Sequence, residues 1–138
     1  MQNFNVVAAI IYHESKFLCA QRSESKHNYL SKKFEFPGGK VEEGESLTQA
    51  LKREIHEELN LNIRILSKYD SLNYSYPDFS VFITFFLCEI ESLDNLIMNE
   101  HQKLFWLPKE QIIDLDWAAA DLPIVRKITE DKGFMCSN

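Results

Sequence analysis

One segment constrains the fold more than any other. Ser46 is followed three residues later by Gln49, the spacing of a capping box, and Leu47, Leu51, Ile55 and Leu59 then recur every fourth residue. The pattern predicts an amphipathic helix over Ser46 to Leu59. At about 100° per residue the four apolar side chains span roughly 120°, and Ala50 widens that core-facing stripe. Gln49, Lys52, Arg53 and His56 cluster opposite, as a solvent face. Glu54, Glu57 and Glu58 do not join them: all three fall within about 100° of one another and overlap the flank of the apolar stripe.

Strand patterns surround this helix. Asn5 to Tyr12 and Lys16 to Arg22, joined by the polar turn His13-Glu14-Ser15, read as a β-hairpin. Ser23 to Lys33 has no period and reads as a loop, followed by a short strand at Phe34-Glu35-Phe36 and a turn at Pro37-Gly38-Gly39. Asn62 to Lys68, Ser71 to Tyr76 and Phe79 to Ile90 read as strands, with a turn at Tyr76-Pro77-Asp78. Lys103 to Leu107 adds another short strand after the loop Glu91 to Asn99. Pro108-Lys109-Glu110 opens a short helix and Asp121 to Asp131 forms the last one. Without an internal repeat or a linker, this predicts one domain over residues 1–138, mixing helices and strands.

Charge and composition exclude several roles. With 15 Lys+Arg against 21 Asp+Glu, the net charge of −6 argues against a surface that tracks long nucleic acid. The longest apolar runs, Val6 to Ile11 and Phe85 to Cys88, fall far short of the ~20 residues that a membrane-spanning helix needs. No basic region and apolar core mark a secretion signal at the N-terminus, which predicts a cytoplasmic protein. Cys19, Cys88 and Cys136 fit reduced thiols, the first two as core fillers. His13, His27, His56 and His101 share no metal-ligand spacing and read as surface residues, His101 standing out only as the neighbour of Glu100.

The three helix carboxylates have a bland reading, a solvated acidic face with an Arg53–Glu57 pair worth only ~0.2–0.5 kcal/mol. Like charges at spacings of three and four repel, however, and their place beside the core adds a desolvation cost. A divalent cation offsets both. Mg²⁺ takes hard oxygen ligands and commonly binds a few carboxylates together with substrate phosphates, and Gly38-Gly39 can bring backbone groups close to such a site.

Gly39, Glu45, Arg53-Glu54-Ile55, Glu57-Glu58 and Leu61 match the signature of the Nudix hydrolases at every spacing, with Asn60 where the family has Gly. Asn tolerates the left-handed conformation of a helix C-cap, so the turn is expected to survive. The chain further resembles the MutT-type nucleoside triphosphate pyrophosphohydrolases, particularly bacterial CTP pyrophosphohydrolase-like members. The matching pieces are Phe34 to Lys40, Tyr74 to Asp78, Glu100 ahead of Phe105-Trp106, and Ala119 to Pro123. The resemblance implies an α+β fold, the Nudix α/β/α sandwich, with a mixed β-sheet between helices. It also implies Mg²⁺, with Mn²⁺ as a substitute, and hydrolysis of (deoxy)nucleoside triphosphates to monophosphate and pyrophosphate by attack at the β-phosphorus, in nucleotide-pool sanitation.

Carried over position by position, Glu57 and Glu58 resemble the main metal ligands, with Glu54, the Gly38 carbonyl and Glu100 beside them. Glu54 resembles the general base, Glu100 being the alternative, while Glu45 and Arg53 resemble orienting residues. Arg22, Gly39 and Lys40 are candidates to contact substrate, and Lys32 and Lys33 add positive charge; for Arg22 an exposed strand-end charge is the competing reading. Asp121 stands where MutT proteins carry a base-reading Asn, and as an ionised acceptor would favour a base edge rich in N–H groups, that of cytosine or a guanine-type or modified base, with adenine's amine left to pocket shape. Its alternative role is an N-cap. Phe36, Tyr76, Phe82 and Trp117 are candidates to wall the base, each competing with a role in the core. The substrate is thus expected to be a nucleoside triphosphate and the assembly a monomer or homodimer. Two readings compete: a hydrolase of ADP-ribose or another nucleoside-diphosphate derivative, and a non-catalytic nucleotide-sensing module.

Overall fold

Strand β1 (Gln2–His13) organises the computed structural model, which describes residues 2–133; Cys136 lies outside that range. Along one edge β1 runs parallel to β6 (Phe79–Glu89), from Gln2 opposite Phe79 to Ile11 opposite Cys88. Its far end turns through Glu14 and Ser15, both at positive φ, into β2 (Lys16–Arg22), pairing Tyr12 with Phe17. Beyond that turn β1 and β2 diverge, and the chain from β3 (Phe34–Glu35) to β4 (Gly38–Lys40) fills the fork. β3 pairs with β2, whereas β4 pairs with β1. β5 (Arg64–Ser75) lies antiparallel to β6, and β7 (His101–Leu107) pairs with β2, giving a mixed seven-stranded sheet among the described residues.

Alternation along β1 divides the core in two, because successive strand side chains face opposite ways. Val7, Ala9 and Ile11 meet Leu51, Ile55 and Leu59 of α1 (Leu47–Leu59) on one face. Ala8 and Ile10 meet Ile124, Val125 and Ile128 of α3 (Leu122–Glu130) on the other, beside α2 (Lys109–Ile112). Each fully buried Leu or Ile contributes about 1.5–3 kcal/mol, so α1 is held by its stripe rather than by intrinsic propensity. The expected capping box is present: Ser46 Oγ accepts from the Gln49 N–H at 3.1 Å, and the Gln49 side chain accepts from the Ser46 N–H at 2.9 Å. Asn60 adopts φ 55°, ψ 38° and ends the helix as its left-handed C-cap.

Two expectations are corrected. The extended pieces expected before and after residue 70 form one strand, β5, with irregularities between Ile65 and Ser67 and between Lys68 and Asp70. Arg53 does not join the solvent face, because its guanidinium folds back over Glu45 and Glu54.

Candidate active site

The fork between β1 and β2 brings glycine backbone against the acidic edge of α1. A Cβ on Gly38 would lie 1.9 Å from the Val7 carbonyl oxygen, and one on Gly39 2.4 Å from Glu54 Cδ. Glycine is required at Gly38, where the obstacle is backbone, and at Gly39 it lets the Glu54 carboxylate lie against the strand. Arg53 fixes the neighbouring carboxylates. Its Nε donates to Glu45 at 2.6 Å, its Nη1 to Glu54 at 3.0 Å and to Glu57 at 3.2 Å, and its Nη2 to the Lys40 carbonyl at 3.1 Å. The Glu45 hydrogen bond leads the effects that raise the Arg53 pKa, and in return Arg53 holds Glu45 below its ordinary value.

A cavity of about 280 Å³ opens beside this edge, lined by Arg22, Glu35, Gly38, Glu58, Glu100 and His101 among others. Glu58 is buried, and its pKa is pushed up, first by burial and then by Glu54, Glu35 and Glu100 around it. Glu57 stands apart, its side chain 52% exposed and paired with Arg53. Among the described residues no group of three or more His, Cys, Asp or Glu side chains is already placed to hold a metal ion. The carboxylate oxygens of Glu54, Glu58 and Glu100 nevertheless suit a hard divalent cation, which would offset the crowding of acidic groups around Glu58.

Glu35 faces the same cavity and is gripped from two sides. Its Oε1 accepts from Arg22 Nη1 at 2.8 Å, and its Oε2 from His101 Nε2 at 2.9 Å. Burial opposes its charge, but these two partners outweigh it and hold the carboxyl below its ordinary pKa.

A second cavity, of about 570 Å³, has an apolar wall including Leu30, Phe79 and Ile83, and reaches Tyr76 and Asp121. The Tyr76 hydroxyl accepts from the Ala120 N–H at 3.1 Å, and the ring stacks on Tyr29 at 5.2 Å between centroids. Asp121 is buried, and its Oδ2 accepts from the Phe36 N–H at 3.0 Å. Burial and the nearby Glu35 push this carboxyl well above its ordinary pKa. Arg22 borders both cavities, while Lys40 stands at the rim of the larger one, 3.9 Å over the Phe4 ring.

The NUDIX domain family model matches residues 2–128 of this chain. The chain belongs to the Nudix family. It is 33% identical over 138 aligned residues to the CTP pyrophosphohydrolase of Escherichia coli (strain K12), covering 91% of this chain and 90% of that protein. It is likewise 33% identical over 90 residues to the 8-oxo-dGTP diphosphatase of the same organism, covering 64% and 68%. Its fold is similar to the solution structure of the E. coli ORF135 protein, with a TM-score of 0.80 and 29% identity, covering 100% of this chain and 96% of that one. Nudix hydrolases act on nucleotide substrates with divalent metal ions, and no described helix is long and apolar enough to cross a membrane.

This Nudix hydrolase gathers Glu45, Arg53 and Glu54 into one network, sets Gly38, Glu58 and Glu100 around one cavity, and lines the other with Gly39, Lys40, Tyr76 and Asp121. Three candidate base-wall residues are placed differently. Phe82 is 42% exposed, since Val81 and Ile83 take the cavity-facing positions of β6 and Phe82 faces the other way. Phe36 and Trp117 pack together in the core, 4.8 Å between centroids, and the Trp117 Nε1–H donates to the Ile112 carbonyl. Asp121 holds the N-cap position without a side-chain cap bond, its carboxyl instead taking the Phe36 N–H. His101, expected on the surface, has a side chain only 3% exposed. Sequence reasoning missed Glu35 as a site residue; the available signal was its place in the Phe34-to-Lys40 stretch, one residue from the turn.

Proposed function

We propose that this chain is a single-domain, cytoplasmic, Mg²⁺-dependent hydrolase of nucleoside triphosphates that releases monophosphate and pyrophosphate, acting on cytosine or oxidised-purine nucleotides in pool sanitation. The observation that carries this reading is the shared wall at Arg22. On one side lies a largely apolar cavity ending on Asp121 and Tyr76, and on the other a carboxylate-lined cavity around Glu58. A base fits the first, a metal-bound polyphosphate the second, and Arg22 the phosphate between them.

In this reading Glu57, Glu58, the Gly38 carbonyl, Glu54 and Glu100 would hold the ion through oxygen, Glu57 turning from its pairing with Arg53. Held there, it would supply charge neutralisation at the phosphates and make water more acidic. Glu54, pressed against Gly39, takes the proton of the attacking water, while Arg53 and Glu45 keep its carboxylate aimed. Attack at the β-phosphorus breaks the bond to the α-phosphate oxygen. Asp121, at the end of the apolar cavity, reads the base edge through its carboxyl oxygens, which suits edges that carry N–H groups. The E. coli relatives named for CTP and 8-oxo-dGTP support the substrate class.

The test incubates the protein with Mg²⁺ and a panel of ordinary and oxidised ribo- and deoxyribonucleoside triphosphates, with ADP-ribose as comparator. Monophosphate and pyrophosphate are the expected products. Turnover of ADP-ribose alone discards the triphosphate reading, and no turnover leaves a sensing module.

A further inference from the structure

Glu35 has no task in this chemistry, yet it lines the carboxylate-bearing cavity and holds the residue that borders both. One of its oxygens holds Arg22, which borders both cavities, and the other holds His101. His101 Nε2 also lies 3.8 Å from Glu58 Oε1, and His101 opens β7 directly after Glu100. The backbone backs this arrangement: Glu35 is paired with Ala20 on β2, and Arg22 is registered opposite His101 across β2 and β7.

A second observation points to the same pair. Among the described residues, the buried side-chain polar atoms without a hydrogen-bond partner are Arg22 Nε and His101 Nδ1. Buried polar groups are otherwise satisfied almost everywhere in folded proteins, so both side chains are held in orientations that their own bonding would not select. Each is fastened to Glu35 by its other end.

We propose that Glu35 is a positioning residue whose two carboxylate oxygens lock the phosphate-facing guanidinium of Arg22 and, through His101, the metal-facing wall of Glu58 at a fixed mutual distance. Nucleotide and ion are then presented to each other in one register rather than by two independent half-sites. This inference rests on the hydrolase reading of the same cavities.

Two probes separate the half-sites: Mn²⁺ alone, titrated by paramagnetic resonance, and CMP or 8-oxo-dGMP without metal, titrated by calorimetry. Failure of the wild type to bind Mn²⁺ or either monophosphate counts against the hydrolase reading, not against Glu35 specifically. Given wild-type binding, Glu35→Gln is expected to raise both dissociation constants at least five-fold with binding stoichiometry unchanged. A purely structural role would instead lower stoichiometry or melting temperature and leave the constants of the folded fraction alone. Arg22→Met should weaken only the monophosphate, and His101→Asn only Mn²⁺. A Glu35→Gln protein that shifts one probe or neither overturns the proposal. Should that variant not fold, Glu35→Asp, which keeps the charge but lacks the reach to both donors, must lose at least one probe five-fold. Unchanged binding there overturns the proposal, as does loss of both probes or of neither in either single-arm variant.

Discussion

Asp121 sits behind Phe36 with one oxygen occupied by a backbone N–H, and burial and Glu35 both oppose its negative charge. A carboxyl whose folded-state pKa is raised leaves stability intact below its unfolded pKa and erodes it as pH rises from there toward the folded value. Asp121→Asn removes the titration but keeps an oxygen for the Phe36 N–H. Urea melts should therefore show a gap in favour of the variant that opens above pH about 4 and persists at neutrality. Its relative rates among bases should shift more than its overall rate falls; a uniform loss would point to a structural role. Glu35 has the opposite sign. Held below its ordinary value by His101 and Arg22, it contributes stability above the unfolded glutamate pKa of about 4.3 that is lost as pH falls further. These environments were only half legible in the sequence. A helical wheel gives Glu58 its angle beside the apolar stripe, but it cannot say that Arg53 reaches across to a loop residue eight positions earlier. Nor can local pattern bury His101, whose partner Glu35 arrives from 66 residues away.

Helix α1 and strand β4 form the element-scale frame of the acidic edge. Replacing Ser46 by Ala removes one half of a reciprocal cap and is expected to cost about 1 kcal/mol in denaturant unfolding. The two glycines of β4 should respond differently to Ala. At Gly38 the new methyl meets the β1 backbone, so the strand pair must part; a loss of about 1–3 kcal/mol or more is expected in urea titration. At Gly39 the obstacle is the Glu54 carboxylate, which can swing aside. That variant should keep most of its stability and lose turnover at least ten-fold in a pyrophosphate-release assay. Local elements were the most readable part of the chain, because the Ser46–Gln49 cap, the four-residue repeat and the Asn60 stop are all short-range signals. The face of β6 was not readable: in the run Val81 to Phe86 apolar residues fill both alternating sets, and only pairing with β1 decides that Phe82 points away from the cavity.

For the whole molecule, a divalent ion bound only by the native state stabilises it, by roughly 2.7 kcal/mol at a hundred times the dissociation constant. Mg²⁺ should therefore raise the melting temperature and a chelator lower it. In Glu58→Gln the response should be flattened and turnover reduced by orders of magnitude while the fold persists; a full Mg²⁺ shift in that variant would sink the ligand assignment. The sheet's connectivity was legible only through family resemblance, since no local pattern announces that residues 2–11 lie beside 79–88. That pairing also sets a timetable. On the ribosome the first strand emerges with its apolar run Val6 to Ile11 exposed, and its parallel neighbour follows some 70 residues later. At about 5–20 residues per second the interval is several seconds, far longer than the microseconds a hairpin takes to form. During it, pairing with β2 is the nearest cover that strand has, which makes the Tyr12–Phe17 end of the hairpin an early safeguard against aggregation of the nascent chain.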